Sequence, residues 1–194
     1  MKSILITHAL EAERIELSFS GYDCTQVITG IGKTASSFAL MKALTQQTPC
    51  MVINIGTAGT VNHHIGDILL GTAFIDRDLE STRLPGVPYS IEATANELPP
   101  AVREWPSILQ GQAHNARFTV NTGDNFVTDL KTLTGDVVDM EAYAQAFICQ
   151  EEKIPFIAVK YVTDIIGKNS VAAWEQKLHD ARTALTAYFE ERNL

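Results

Sequence analysis

The sequence predicts an α/β fold in which helices cover both faces of a central sheet. Residues 135–166 have the pattern of a strand, a helix and a second strand. The second strand, 156–162, is apolar except for Lys160, and such a run is typical of a strand covered on both faces. A parallel βαβ unit is therefore the interpretation of this stretch, and the β-prone run 4–7 is a common opening for a parallel sheet.

Further elements follow from the N-terminus. Residues 9–17 predict a helix, because Ala9, Ala12, Glu13 and Glu16 recur at helical offsets. A strand over 22–29 ends in the turn Gly-Ile-Gly-Lys, and a helix with a broad apolar face covers 34–46. The strand 50–55 leads into a small-residue turn, Gly-Thr-Ala-Gly-Thr at 56–60, and another strand covers 66–76.

The region 77–106 is the least regular, since it holds five of the seven prolines. Leu-Pro-Gly-Val-Pro at 84–88 predicts a rigid loop, and 97–104 predicts at most a short helix. A loop over a site and an oligomer contact are both compatible with this region. A strand follows at 116–121. The final helix, 171–192, is interpreted as structural, with one apolar face formed by Trp174, Leu178, Ala181, Leu185 and Tyr188.

Composition limits the class of protein. A chain of 194 residues with 45% hydrophobic and 20% charged residues fits one globular domain spanning 1–194. The net charge of -8 argues against nucleic-acid binding, because phosphates require a basic surface. No apolar run is long enough for a membrane span, and the scattered cysteines Cys24, Cys50 and Cys149 predict buried free thiols, so a cytoplasmic protein is expected. No metal cluster and no cofactor are expected.

Three acids follow predicted strands. Glu141 follows the first strand of the βαβ unit and Asp164 follows the second. Because parallel neighbouring strands end on one edge of a sheet, both acids could face one crevice, and Glu13 could join them from the first strand. The alternatives are that Glu141 caps a helix, that Asp164 begins a loop, and that Glu13 lies in the first turn of a helix only because the helix dipole favours an acid there.

Two other positions are candidates for ligand contact. Thr57 lies in the small-residue turn, which suits either a ligand or a tight buried turn. Phe126 follows a Gly-Asp-Asn turn, and its ring could cover a planar ligand or fold back onto the sheet. The Gly-Ile-Gly-Lys turn at 30–33 is a weak signal, because no third glycine completes a dinucleotide fingerprint.

Seven short blocks of the sequence resemble one known superfamily. The blocks are ILITHALEAE, TGIGK, NIGTAGTVNHHIGDIL, LPGVP, NTGDNF, VVDMEAYAQA and PFIAVKYVTD. In this order they resemble the nucleoside phosphorylase/nucleosidase superfamily, and most closely the 5′-methylthioadenosine/S-adenosylhomocysteine nucleosidases. The resemblance implies a single α/β domain with a twisted, partly closed, mixed central sheet flanked by helices. It also implies a homodimer in which a loop of the partner completes each site.

The resemblance implies the catalytic roles. Asp164 matches the general acid at N7 of the leaving purine, and Glu13 matches the acid that activates water. Elementary chemistry agrees with this division: the leaving base needs a proton, whereas the attacking water needs an ionised carboxylate. Acids in different environments can hold these two states at the same pH.

The substrate contacts are likewise implied by the resemblance. Glu141 and Met140 match the ribose contacts, with the carboxylate accepting hydrogen bonds from the 2′- and 3′-hydroxyls. Phe126 matches the ring that packs on the base, and Val127 matches a backbone contact to the base edge. Thr57 matches a small hydroxyl near the water and the acid.

Water is the expected nucleophile. Phosphorylases of the superfamily hold phosphate with arginines at the first glycine-rich turn and before the GTAG-like turn. Here Glu13 lies at the first turn and Ile53 precedes the second. The predicted activity is therefore hydrolysis of a 5′-substituted adenosine with release of adenine. The alternatives are hydrolysis of another purine nucleoside such as futalosine, a phosphate-dependent phosphorylase, and a non-catalytic nucleoside-binding protein.

Overall fold

The computed structural model describes residues 2–93, 98–127, 133–168 and 170–192. These residues form one sheet whose strands are β1 (Lys2–His8), β2 (Tyr22–Ile28), β3 (Met51–Thr60), β4 (Ile68–Asp76), β5 (Ser90–Glu92), β6 (Ser107–Leu109), β7 (Gln112–His114), β8 (Phe118–Thr122), β9 (Val137–Asp139) and β10 (Phe156–Ile165). The helices are α1 (Lys33–Leu44), α2 (Arg77–Thr82), α3 (Pro100–Arg103), α4 (Ala142–Glu151) and α5 (Ser170–Glu190). No helix in these residues is long and apolar enough to cross a membrane.

Five strands close into a ring. β3 pairs with β9, β9 with β8, β8 with β4, β4 with β10, and β10 returns to β3. β1 and β2 extend the sheet from β3, and β5, β6 and β7 extend it from β4. Parallel and antiparallel pairs both occur in the ring, so the prediction of a single α/β domain with a mixed, partly closed sheet is confirmed.

The parallel βαβ unit predicted at 135–166 is wrong. β9 is antiparallel to β3, whereas β10 is parallel to β3, so the two strands that α4 connects run in opposite directions. Both pair with β3 and not with each other. The pattern of apolar residues was informative about burial, but it carries no information about which neighbour a buried strand selects.

Three local predictions are also wrong. The predicted helix 9–17 is a single 3-10 turn, Glu11–Glu13, because the chain then extends and buries Ile15 and Phe19 in the core. The predicted small-residue turn 56–60 is the second half of β3, and Asp164 lies inside β10 and not after it. Strands therefore continue to the edge of the site. The short helix expected within 97–104 is α3, and residue 97 lies outside the described residues.

Helices bury both faces of the sheet, as the sequence predicts. α5 covers one face with Ala181, Leu185, Tyr188 and Phe189. α1 and α4 cover the other face with Leu40, Ala142, Ala146 and Cys149. All three cysteines are free thiols, but only Cys149 is buried, whereas Cys24 and Cys50 are partly exposed. The two layers hold the ends of β1, β3, β9 and β10 in place around a cavity.

Candidate active site

A cavity of about 160 Å³ lies where these strands end. The residues predicted as site residues all line it: Glu13, Thr57, Phe126, Val127, Met140, Glu141 and Asp164. The other lining residues are Ala9, Leu10, Ile31, Ala58, Gly59, Arg77, Asn125, Val138, Asp139 and Trp174. The three acids thus share one crevice, although the parallel topology that predicted it was wrong.

Glu13 occupies an open stretch of the β3 edge. β1 pairs with β3 up to Asn54, and β9 joins the same strand at Gly59. Between these pairings, the Thr57 N–H donates to Glu13 Oε1 at 3.0 Å and the Thr57 hydroxyl donates to the same oxygen at 2.7 Å. A side chain at Gly56 would place a carbon 3.3 Å from that oxygen, so the glycine leaves room for the carboxylate.

A β-bulge directs Asp164 towards the cavity. The register of β10 on β3 shifts between Val162 and Asp164, so Thr163 is the extra residue. The Thr163 hydroxyl donates to Asp164 Oδ1 at 2.8 Å. A Cβ on Gly59 would lie only 2.9 Å from Asp164 Oδ2, so no other residue fits there without moving the acid. Asp164 is 2% exposed, which makes it a buried carboxyl group at the wall of the cavity.

Glu141 is held by the turn before α1. Its Oε1 accepts the Gly32 N–H at 3.0 Å, and it makes no capping bond to α4, although it occupies the N-cap position. Asp139 instead accepts the Ala142 N–H at 2.9 Å and caps the helix. Burial raises the pKa of Glu141 to about 7, and the neighbouring Asp139 carboxylate adds to this effect.

A buried ion pair lies behind Glu141. Lys160 Nζ is 2.8 Å from Asp139 Oδ2, and Lys160 is 2% exposed. Burial alone would lower the pKa of Lys160, but the carboxylates of Asp139 and Glu141 raise it above its ordinary value. The Thr122 hydroxyl donates to the other Asp139 oxygen at 2.5 Å. Lys160 therefore remains a cation beneath a cavity lined by acids.

Arg77 holds the loop that carries Phe126. Its guanidinium donates to Asn121 Oδ1 at 2.9 Å and to the Asn125 carbonyl at 3.0 Å. The same group lies against Gly123, where a Cβ would approach Nη2 to 2.6 Å. Phe126 is 39% exposed and lines the cavity, which is compatible with a ring that covers a planar ligand.

The turn at 30–33 binds carboxylates of the protein itself. The Gly32 N–H meets Glu141, and the Lys33 N–H donates to Asp124 Oδ1 at 2.7 Å. These two N–H donors hold the carboxylates of Glu141 and Asp124 in place, so they do not point freely at a ligand. Within the described residues, no group of three or more His, Cys, Asp or Glu side chains is placed to hold a metal ion.

Four residues that make polar contacts at or behind the cavity were not among the predicted site residues: Arg77, Asp139, Lys160 and Trp174. Arg77 lies at the start of a helix in a region judged irregular, and nothing local in the sequence indicates its contacts. Lys160 interrupts an apolar strand, and a charge in such a run is a usable signal for a buried pair. Trp174 fits the apolar repeat of α5, and nothing in that repeat indicates that it lines the cavity.

Comparisons with known proteins place this fold and cavity in a family. Residues 6–191 match the model of the phosphorylase superfamily. The chain is 32% identical over 186 residues to the 5′-methylthioadenosine/S-adenosylhomocysteine nucleosidase of Bacillus subtilis (strain 168), covering 86% of this chain and 80% of the relative.

Solved structures share the fold. One is a Helicobacter pylori MTAN variant with 5′-methylthioadenosine in the active site, with a TM-score of 0.80, 17% identity, and coverage of 99% of this chain and 98% of that one. Another is the futalosine hydrolase of Helicobacter pylori, with a TM-score of 0.77, 17% identity, and coverage of 98% and 97%. The family match and the Bacillus relative show that the chain belongs to the phosphorylase superfamily and, within it, to the 5′-methylthioadenosine/S-adenosylhomocysteine nucleosidases, which are purine nucleosidases.

Proposed function

We propose that the protein hydrolyses the N-glycosidic bond of a 5′-substituted adenosine, methylthioadenosine or S-adenosylhomocysteine, and releases adenine. The observation that carries this proposal is the convergence of three buried acids, Glu13, Glu141 and Asp164, on one cavity beside an aromatic ring. The Bacillus subtilis relative is named a 5′-methylthioadenosine/S-adenosylhomocysteine nucleosidase, which agrees with this reaction. The structural neighbours do not separate methylthioadenosine from futalosine, because both kinds of enzyme share the fold.

Asp164 and Glu13 would divide the proton transfers. Asp164, buried beside the Thr163 hydroxyl, would protonate or hydrogen-bond N7 of the departing purine. Glu13 accepts two hydrogen bonds from Thr57, which hold its carboxylate at the cavity, where it would take a proton from water. The transition state is oxocarbenium-like, so the negative wall of the cavity would stabilise its charge.

The remaining residues would hold the substrate. Glu141 would accept hydrogen bonds from the ribose 2′- and 3′-hydroxyls, next to Met140. Phe126 would pack on the purine and the Val127 backbone would meet its edge. Thr57 would lie near the water, as its contact with Glu13 requires.

Among the described residues that line the site, no cationic side chain is available to bind phosphate. Of the residues that line the cavity, Arg77 is the one cation in the described ranges, and its guanidinium is committed to Asn121 and Asn125. Arg14, which follows Glu13, pairs with Glu11 and Glu16 on the surface. A phosphate dianion would therefore face acids without a balancing cation, which favours water as the nucleophile.

Adenine release should not require phosphate. Purified protein is given methylthioadenosine or S-adenosylhomocysteine in phosphate-free buffer and again with phosphate, and adenine is measured by chromatography. The expected rates are equal within twofold. Release only with phosphate would contradict the proposed nucleophile, whereas no release in either buffer would contradict the substrate and make futalosine the next compound to measure.

We also propose that two copies of the chain form a homodimer through the outer surface of α1 and α4. This surface is apolar and exposed: Phe38 is 73% exposed on α1, and Phe147 is 46% exposed on α4, with Met41 nearby on α1. The two helices pack against each other. A second copy would remove these rings from water, which contributes about 25 cal/mol per Å² of apolar surface. Ile31, two residues before α1, is exposed and lines the cavity.

Phe38→Glu should convert the dimer to a monomer, because a charge at the centre of an apolar interface would be desolvated without a partner. Light scattering after size exclusion gives the mass of each variant. Ile65→Glu is the matched control: Ile65 is also an exposed apolar residue, but it lies on the loop between β3 and β4. A wild-type chain that elutes as a monomer, or a Phe38→Glu variant that remains dimeric, would disprove this interface.

A further inference from the structure

A chain of hydrogen bonds connects α5 to Glu13 through Thr57. The indole N–H of Trp174 donates to the Thr57 hydroxyl at 2.9 Å, and that hydroxyl donates to Glu13 Oε1 at 2.7 Å. Trp174 itself lines the cavity. Three elements that are distant in sequence therefore meet at one hydroxyl oxygen.

The chemistry of these groups fixes the direction of every bond. An indole nitrogen is only a donor, so Thr57 Oγ1 must accept from Trp174. The hydroxyl has one proton, and with the indole occupying an acceptor position that proton points to Glu13 Oε1. Oε1 also accepts the Thr57 N–H at 3.0 Å, so it holds two donors from the same residue.

We propose that Trp174 is a positioning residue that locks the Thr57 hydroxyl onto Glu13 Oε1 and thereby leaves Glu13 Oε2 as the oxygen that receives the proton of the attacking water. This inference rests on the proposed hydrolysis. Among the described residues, no hydrogen bond is made to Oε2. Without the indole N–H, the hydroxyl is free to rotate and to bind water in the cavity, and the carboxylate loses its fixed orientation.

The role assigned to Trp174 differs from simple contact with substrate. A residue that only packs on the substrate would change KM, because it binds the ground state and the transition state alike. A residue that aims the base would change kcat, because the geometry of proton transfer matters at the transition state. Trp174→Phe keeps an aromatic ring at this position and removes the N–H donor, although it also shortens the ring system, so the comparison between Thr57 backgrounds isolates the hydrogen bond.

The kinetic experiment is a double-mutant cycle between Trp174→Phe and Thr57→Val, with Thr57→Ser as the matched variant that keeps the hydroxyl. Trp174→Phe should lower kcat about tenfold and change KM less than twofold. In the Thr57→Val background the same change should alter kcat by less than twofold, whereas in the Thr57→Ser background it should again lower kcat about tenfold. A change in KM alone, or an equal loss of kcat in all three backgrounds, would overturn the proposal.

A spectroscopic experiment reads the contact without turnover. The chain has two tryptophans, so a ¹H–¹⁵N spectrum shows two indole signals, and the one that Trp174→Phe removes belongs to Trp174. Thr57→Val should shift that signal and speed its exchange with solvent, whereas Thr57→Ser should leave it in place. An unshifted signal overturns the positioning role even in an active enzyme. A shifted signal in a protein that releases no adenine would contradict the proposed function but would support the contact between Trp174 and Thr57.

Discussion

Replacing Asp164 by Asn should lower kcat by about 10²–10⁴-fold, the usual contribution of a general acid. The amide has nearly the shape of the carboxyl group, so the Thr163 contact and the close approach to Gly59 persist and the fold is kept. On the proposed mechanism, the variant has no proton for the leaving purine, which would then have to depart as an anion. The measurement is single-turnover adenine release, with circular dichroism to confirm folding.

Asp180→Asn provides the control for this variant. Asp180 lies on α5 and pairs with Lys177 at the surface, away from the cavity, so the same chemical change there should leave kcat within twofold. Turnover of Asp164→Asn within a few-fold of the wild type would remove Asp164 from its catalytic role. The outcome would then direct attention to another lining acid, with Glu141 first because its pKa of about 7 allows it to carry a proton at neutral pH.

Replacing Lys160 by Met should lower the free energy of unfolding by about 3–5 kcal/mol, because it leaves a buried carboxylate without its partner. The Asp139 carboxyl group would then lie next to Glu141 with only the Thr122 hydroxyl and the Ala142 N–H as hydrogen-bond partners. Urea denaturation followed by fluorescence measures the loss. An unchanged m-value would show that the native state itself lost stability.

The double variant Lys160→Met with Asp139→Asn shows whether charge is the cause. The single amide oxygen of Asn can accept only one of the two donors, the Ala142 N–H or the Thr122 hydroxyl, which bind different oxygens of Asp139. No unpaired charge remains, so part of the lost stability should return. If the double variant is no more stable than Lys160→Met alone, then packing of the lysine stem accounts for the loss. If the free energy of unfolding of Lys160→Met lies within 1 kcal/mol of the wild-type value, the ion pair contributes little to stability.

The secondary structure that follows from strong periodicity was predictable. The helices at 33–44 and 142–151 occur close to their predicted positions, and the strands 51–60 and 156–165 begin within one residue of their predicted starts but extend further than predicted. The helix at 9–17 failed for the opposite reason. Its pattern is short, and the contact of Glu13 with Thr57 and the burial of Ile15 decide the conformation there. Such tertiary contacts leave no trace in local spacing.

The acids of the candidate site were predictable from the sequence, but the contacts between its residues were not. The acids were found because each stands at the end of an apolar run, and the strands do converge. The β-bulge at Thr163, the pair between Lys160 and Asp139, and the contact between Trp174 and Thr57 are all invisible to such reasoning. Each joins residues from different elements, and Trp174 was hidden because a helical repeat assigns every apolar position on one face to the core.

The contact between Glu13 and the Thr57 N–H affects how this chain could drift in evolution. Residues in active sites are usually poorly suited to stability, so a lineage that no longer needs the activity loses them readily. Glu13 differs, because it fills the gap that β1 and β9 leave on β3 and satisfies a backbone donor there. Selection for folding alone would retain it. Among descendants of such a chain, Glu13 would be retained even after the activity is lost. The residue found at position 164 would then be the better indicator of whether the proposed catalysis persists.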